Sequence, residues 1–89
     1  MILDVYSFKN KALGSFTTPT FSQEKRENVA PSLKRSIYFG GKEAQAKYSK
    51  LALYCLGTFD DEAGKFDLFK DPEFILDCDD IIAQIPEVK

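Results

Sequence analysis

The sequence predicts a small α+β domain: an antiparallel sheet in the order β-β-α-β-β, one helix across a face and a short helical C-terminal tail. Residues 51–59 are nearly all apolar, as expected of a central strand covered on both faces. Residues 65–69 alternate charged and apolar side chains, which is typical of a half-buried strand. Because Asp60 and Gly64 favour a turn between these runs, we interpret residues 51–69 as a hairpin around which the chain is organised.

The N-terminal part predicts a second pair of strands. Residues 2–8 are rich in β-prone side chains and form the first strand. Residues 10–14 have turn composition, so residues 15–18 are expected to pair back as a short second strand. Pro19 ends this strand because proline has no N–H to donate to a ladder.

A single helix is expected to follow an exposed polar segment. Asn28 is a good N-cap, and Pro31 then lies in the first turn, where its missing N–H costs little. An apolar stripe recurs every four residues, at Val29, Leu33 and Ile37. Gly40 and Gly41 end the helix. A second interpretation starts the helix at Ser22 and lets Pro31 break it in two.

The C-terminal part is expected to be partly helical. Residues 42–50 contain good helix formers without an apolar stripe, which indicates a loop or one extra turn. Asp71 and Pro72 are the residue types favoured at a helix N-cap and first position. Residues 74–76 are expected to fold back on the core, and a further short turn is expected with Asp79 or Asp80 as its cap. The last three residues are expected to fray.

Length and composition bound the class of protein. The 89 residues are expected to form one domain, residues 1–89, with marginal stability. They contain no run of about 18 apolar residues that would span a membrane. The first residues lack the basic segment and apolar core of a signal peptide, so we expect the protein to stay in a cytoplasm. Cys55 and Cys78 are then expected to be reduced thiols, with Cys55 a small apolar core residue.

Nothing in the sequence supports an enzyme or a cofactor. Histidine, the commonest general base and neutral metal ligand, is absent. The glycine-rich and cysteine motifs of nucleotide, redox and hydrolase sites are missing. A divalent cation bound by acids from two clusters is an alternative. Those acids are Asp60, Asp61, Glu62, Asp77, Asp79 and Asp80. We interpret Asp60 and Asp61 as turn formers instead, and predict no metal.

Charge is unevenly distributed along the chain. Residues 1–50 contain nine basic and four acidic side chains, whereas residues 51–89 contain three basic and ten acidic ones. The net charge of −2 therefore conceals a basic half and an acidic half. Such asymmetry is typical of proteins that bind a polyanion, or of proteins whose subunits pack with complementary charges.

The hairpin segment carries a resemblance to a known family. The segment LYCLGTFDDEAGKF at residues 53–66, followed by PEF at residues 72–74, resembles the small nonstructural proteins of gokushovirus-type microviruses, which are phages with single-stranded DNA genomes. The opening of the chain is compatible with that family through Val5, Tyr6, Lys11, Ala12, Phe16, Pro19 and Phe21. It departs at Leu13, which intervenes before Gly14, and at Pro31, which falls where the family has a helix without proline.

The resemblance implies a role in the cytoplasm of an infected bacterium and outside the finished capsid. The family is linked to genome replication or packaging and is often described as DNA-binding. It provides no catalytic or ligand residues for this chain. Its hairpin motif accounts for the fold rather than for any chemistry.

Together these features predict a non-enzymatic protein that binds single-stranded DNA, which requires cations for phosphates and aromatic faces for bases. The candidate residues are Lys9, Lys11, Lys25, Arg26, Lys34, Arg35, Lys47, Lys50, Tyr38 and Tyr48. The alternative is an adaptor that acts on a viral or host replication protein, or on a capsid-assembly partner, without DNA. Eight Phe and four Tyr also favour a homo-oligomer, since exposed apolar area marks interfaces.

Overall fold

A computed structural model describes residues 1–86, so the expectation that the last three residues fray lies outside the described residues. Eight elements follow one another within that range: β1 Ile2–Asn10, β2 Ser15–Phe16, β3 Thr20–Ser22, α1 Arg26–Phe39, α2 Gly41–Tyr48, β4 Leu51–Asp60, β5 Lys65–Asp77 and α3 Cys78–Ala83. None of these helices is both long and apolar enough to cross a bilayer. The α+β class with an antiparallel sheet is confirmed.

The sheet has the order β2-β1-β4-β5, with every neighbouring pair antiparallel. The short β3 also pairs with β1, so β2 and β3 act as one edge strand interrupted at residues 17–19. Strands β1 and β4 are therefore central, and they pair along the whole of β1. The prediction that residues 51–59 form the central strand is confirmed.

The hairpin turn between β4 and β5 forms as its residue types predict. The Asp60 carboxylate accepts hydrogen bonds from the backbone N–H groups of Glu62 and Ala63, at 3.0 and 3.3 Å. The Gly64 N–H donates to the Asp60 carbonyl at 2.8 Å, and Gly64 has a φ of 66°, which glycine adopts without strain. Asp60 is thus a turn former.

A large bulge interrupts the pairing of β4 with β5. Cys55 pairs with Glu73 and Gly57 with Leu68, so residues 69–72 of β5 lie opposite the single residue Leu56. At Gly57 the backbone of β5 approaches so closely that a Cβ would overlap the carbonyl oxygen of Asp67. Only glycine fits this close approach between two backbones.

The three helices cover one face of one half of the sheet. From α1, Ile37 is fully buried, and Val29 and Leu33 pack beside it. Their sheet partners are Tyr6, Leu53, Cys55 and Leu76, and α3 adds Cys78 and Ile81. The predicted α1 stripe therefore faces the core, and the prediction of a helix across a face is confirmed.

Several element bounds differ from the prediction. The helix begins at Arg26, after Lys25 rather than at Asn28, and Pro31 lies inside an unbroken α1. Strand β3 was not predicted, and the predicted loop at residues 42–50 contains α2. Residues 41–48 fold as a helix because their good intrinsic propensity is supported by packing of Tyr48 against the core.

The predicted helix start at Asp71 and Pro72 is wrong. These residues lie in the bulge of β5, where proline is tolerated because the extra residues need no ladder donor. The strand continues to Asp77, and the helical turn starts only at Cys78. Its cap is Asp77, whose carboxylate accepts from the Asp79 N–H at 3.0 Å, rather than Asp79 or Asp80.

One face of the sheet is without a helical layer. Strand alternation places on this open face Leu3, Val5, Lys9, Phe16, Phe21, Tyr54, Phe59, Phe66, Leu68 and Phe74. Ring contacts agree with this assignment, since the Tyr54 ring lies 5.5 Å from Phe16 and 5.7 Å from Phe74. The chain measures 52 × 26 × 17 Å, because the β4–β5 hairpin extends beyond the helices.

We predict that Leu53→Ala destabilises the chain by about 2–5 kcal/mol, because the 3% exposed side chain touches both helix and sheet residues of the core. Leu13→Ala is the matched control. It removes the same atoms from a side chain that is 77% exposed in the turn between β1 and β2, so its cost is expected to stay within about 0.5 kcal/mol. Urea unfolding followed by circular dichroism measures both, and equal midpoints for the two variants would contradict the core assignment.

Candidate nucleic-acid interface

The outer surface of α1 brings cations and aromatic rings together. Lys34 and Tyr38 are four residues apart, as are Arg35 and Phe39, so each aromatic ring lies one helical turn from a cation. Tyr38 is 44% exposed and Phe39 is 78% exposed. Their ring centroids are 5.0 Å apart in an edge-to-face arrangement. We call Lys34, Arg35, Tyr38, Phe39 and Lys42 the helical patch.

The core contacts of α1 determine which side chains point outward. Burial of Leu33 and Ile37 fixes the rotation of the helix, and residues 34, 35, 38 and 39 are then directed away from the sheet by the 100° step per residue. The helix ends at Phe39, and α2 starts at Gly41. Helix α2 packs against α1, and Lys42 is its second residue, three positions after Phe39.

The cations of the helical patch are available for an external anion. Within residues 1–86, Lys34, Arg35 and Lys42 form no ion pair. The two helices α1 and α2 contain five basic residues and only two acidic ones, Glu27 and Glu43. The patch is therefore a cationic surface with two exposed rings.

Three of the predicted binding cations are instead engaged by carboxylates. The Lys11 ammonium lies 2.7 Å from Asp77 and 2.8 Å from Asp79, and these hydrogen bonds raise its pKa. The Arg26 guanidinium pairs with Glu73, which raises the pKa of Arg26. Lys25 lies 3.9 Å from the Asp4 carboxylate. These contacts join the termini of distant elements and leave the three cations less available for phosphates.

The other predicted residues lie at separate places. The Tyr48 ring is half-buried against Phe8, at a centroid distance of 5.7 Å, and Lys47 lies 5.3 Å over the Tyr48 ring. The Lys50 N–H donates to the Asp79 carboxylate at 3.0 Å. Lys9 lies on the open face, 5.9 Å from the centre of the Phe16 ring. The structure therefore brings together only Lys34, Arg35 and Tyr38 of the ten candidates, with Lys47 on the neighbouring helix.

Two residues of the helical patch were missed by the sequence-based set. Phe39 is the most exposed large apolar side chain within residues 1–86, and Lys42 is the second residue of α2. The four-residue spacing of Arg35 and Phe39 is visible in the sequence and provides the missing signal.

The two acidic clusters are far apart. Asp60, Asp61 and Glu62 lie at the hairpin turn, whereas Asp77 and Asp79 lie at the other end of β5. Among residues 1–86, no group of three or more Cys, Asp or Glu side chains is arranged to hold a metal. The hairpin acids have local partners instead: Asp60 forms the turn, and Asp61 and Glu62 lie 2.8 and 3.3 Å from the Met1 ammonium.

A cleft of about 310 Å³ separates α1 from the edge of β1. Its apolar floor includes Phe8, Val29 and Leu33, and its rim includes the hydroxyl residues Ser32 and Ser36. No lysine or arginine of the described residues 1–86 lines it. The cleft therefore lacks the cation that a phosphate ligand requires.

The cysteines have no reactive character. Both Cys55 and Cys78 are free and fully buried. Burial raises the pKa of the Cys78 thiol to about 11, and the nearby carboxylates of Asp77 and Asp79 add to the shift. Since the thiolate is the nucleophile, a buried thiol with a raised pKa is inert.

Comparison with known proteins found no matching family model, no matching curated protein and no matching solved structure. The resemblance of residues 53–66 to microvirus proteins thus stays a prediction. The chemistry of the helical patch is the remaining guide to function.

We predict that Lys11→Met raises the pKa of Asp79. Hydrogen bonding to Lys11 is the main cause that holds this pKa below its usual range, followed by the Lys50 N–H. A lowered folded-state pKa means that the Asp79 contacts stabilise the fold above the ordinary carboxyl range, and that this stabilisation disappears as the pH falls through the lowered pKa. Carboxyl carbon NMR titration measures the shift.

Lys9→Met is the control for this titration, since Lys9 lies on the open face and contacts the Phe16 ring rather than a carboxylate. It is expected to leave the pKa of Asp79 unchanged. Identical Asp79 titrations in the parent and in Lys11→Met would show that Lys11 is not held by this ion pair.

Proposed function

We propose that this chain binds single-stranded DNA through the helical patch, as a non-enzymatic nonstructural protein of a microvirus-type phage that acts in genome replication or packaging inside the infected bacterium. The observation that carries the proposal is the pairing of each exposed ring, Tyr38 and Phe39, with a cation one turn earlier. Binding without sequence preference needs this combination of aromatic stacking and phosphate contact.

The geometry of the patch suits a flexible strand. One helical turn is about 5.4 Å, so a base stacked on Phe39 leaves its own phosphate within reach of Arg35 or Lys42. A duplex hides the faces of its bases, whereas an unpaired strand presents them. The patch therefore favours single-stranded over double-stranded DNA.

The charge distribution also favours the helical side of the molecule as the DNA-binding surface. The acidic hairpin at residues 60–64 is on a different element from α1, and Asp77 and Asp79 are partly neutralised by Lys11. Phosphates approaching the helical patch therefore meet cations first. The resemblance of the hairpin to phage proteins provides the context of a single-stranded DNA genome.

An adaptor that binds another protein without DNA is the alternative function. The exposed aromatic side chains of the open face favour it, because contiguous exposed apolar area marks protein interfaces. The two functions differ in one property. Phosphate contacts release counterions and make binding strongly salt-dependent, whereas an adaptor shows no binding to DNA at low salt.

We predict that the double variant Lys34→Glu with Arg35→Glu folds normally and binds an oligo-dT more weakly than the parent. The slope of log K against log salt is expected to fall by about 0.7 for each phosphate that the variant no longer binds. Fluorescence anisotropy at several salt concentrations measures both quantities. The charge-matched comparison is between Arg35→Glu and Lys70→Glu, since Lys70 lies in the bulge of β5.

Lys70→Glu is expected to leave the salt slope unchanged. If Arg35→Glu and Lys70→Glu weaken binding equally, net charge rather than the helical patch controls the affinity. If neither the parent nor any variant binds at low salt, the adaptor function replaces DNA binding.

The stacking of bases on the exposed rings is tested separately. Phe39→Ala is expected to cost about 1–3 kcal/mol of binding free energy, the usual value for one stacked base. Phe74→Ala is the matched control, because Phe74 is 56% exposed but lies on the open face of the sheet. A larger drop in oligo-dT affinity in Phe74→Ala than in Phe39→Ala would move the binding surface to the sheet.

A further inference from the structure

The open face presents a preformed apolar cluster near the hairpin turn. The rings of Phe21, Phe59 and Phe66 contact one another at centroid distances of 5.3, 5.8 and 4.7 Å. Phe66 and Leu68 are 56% and 60% exposed. The three rings come from three different strands, so the cluster is fixed by the sheet itself.

The chain has no element of its own to cover this cluster within residues 1–86. All three helices pack on the other face, over Tyr6, Leu53 and Leu76. At the hairpin end that other face is polar, since Thr58, Asp60, Lys65 and Asp67 alternate with the apolar residues along β4 and β5. The hairpin end of the sheet therefore carries its aromatic cluster on the side that has no helix, whereas on the other side the exposed Ile2 lies among polar residues.

The exposed apolar area is large for a chain of this size. Five open-face side chains are between 40% and 60% exposed: Phe16, Phe21, Phe66, Leu68 and Phe74. If each presents about half of about 200 Å², together they expose roughly 500 Å². This is near the upper end of the largest patch on a typical monomer. Two such faces would bury twice this area, which approaches the lower limit of the total area buried in a specific protein–protein interface.

We propose that the open face packs against the same face of a second copy of this chain, with a two-fold axis that lies between the two sheets, above the Val5–Gly57 pair and perpendicular to the strands. The two sheets then form a sandwich with the helices outside, and the aromatic side chains interdigitate between them. The two-fold relation makes the contact isologous, so it closes as a dimer rather than a filament. The helical patches of both copies remain exposed.

The positions of two charges support this axis. Lys9 lies four residues from Val5 in one direction along β1, and the opposite direction leads to Met1, whose carbonyl accepts from the Asp61 N–H at 3.2 Å. The axis therefore brings Lys9 of each copy to the end of the face where Asp61 and Glu62 of the other copy share the Met1 ammonium, at 2.8 and 3.3 Å, which leaves one of these two carboxylate charges for Lys9. Lys9 is a cation at one end of the open face, and the hairpin acids lie at its other end.

The same charges disfavour an anionic occupant. Asp61 and Glu62 lie at the turn beside the aromatic cluster and share the single Met1 ammonium, so this end of the face keeps a negative charge that disfavours the phosphates of DNA and of anionic lipids. A second copy avoids this repulsion because its Lys9 meets the acids. A second copy is therefore the occupant that fits both the apolar area and the charge.

Sedimentation velocity across concentration tests the dimer. The parent is expected to change from monomer to dimer mass as its concentration rises, and Phe66→Glu is expected to raise the dissociation constant at least tenfold. Phe39→Glu is the matched control, because it places the same charge at a more exposed ring on α1. It should leave the dissociation constant unchanged, and circular dichroism verifies that both variants fold.

A charge exchange tests the axis. Lys9→Glu and Glu62→Lys are each expected to weaken the dimer several-fold, and the double variant is expected to recover most of the affinity, because the exchanged charges meet again across the interface. Glu62 is exchanged because Asp61 holds the closer contact with the Met1 ammonium, at 2.8 Å against 3.3 Å. A parent that stays monomeric at several hundred micromolar overturns the proposal, as does a double variant weaker than both singles. A monomeric parent that binds zwitterionic vesicles, or whose oligo-dT binding is abolished by Phe66→Glu, assigns the face to lipid or DNA instead.

Discussion

The antiparallel pairing of β1 with β4 is the interaction on which the rest of the structure depends. It fixes a sheet that is longer than any of the three helices, and β5 extends along the same length. The helices can therefore cover only one half of one face, where Ile37, Leu53 and Leu76 form the core. The elongated shape and the exposed aromatic face both follow from this mismatch in length.

Because of this mismatch in length, the helical side and the hairpin end of the sheet also differ in charge. Cations collect on α1 and α2, which form the outer layer of the covered half, whereas acids collect at the hairpin end of the sheet. Exposed rings occur on both sides, and Tyr38 and Phe39 each follow a cation by one turn on α1. One side is thus suited to a polyanion and the other to a neutral or cationic apolar partner.

The local features of this fold were predictable, and the long-range ones were not. The turn at Asp60 and Gly64 and the stripe that ends at Ile37 follow from residue types and spacing. The continuation of β5 past Pro72 could not be predicted in this way, because a bulge in the pairing with β4 overrides the local preference for a helix start. The spacing that places Phe39 beside Arg35 was present in the sequence.

The ion pairs of the cations were likewise not predictable from local sequence. Lys11 and Asp77 are 66 positions apart in the chain, and Arg26 and Glu73 are 47 apart, so no local pattern revealed that these cations are engaged. Charge counting therefore included cations that the fold pairs with carboxylates. What separates the available cations from the paired ones is tertiary structure.

We propose that DNA lies on the helical side of the sheet. A titration of the isotope-labelled protein with oligo-dT, followed by amide NMR shifts, tests it most directly. We expect the largest shifts at residues 34–42 and none at residues 66–68 of the open face. Shifts centred on Phe16, Tyr54 and Phe74, with residues 34–42 unchanged, would contradict it.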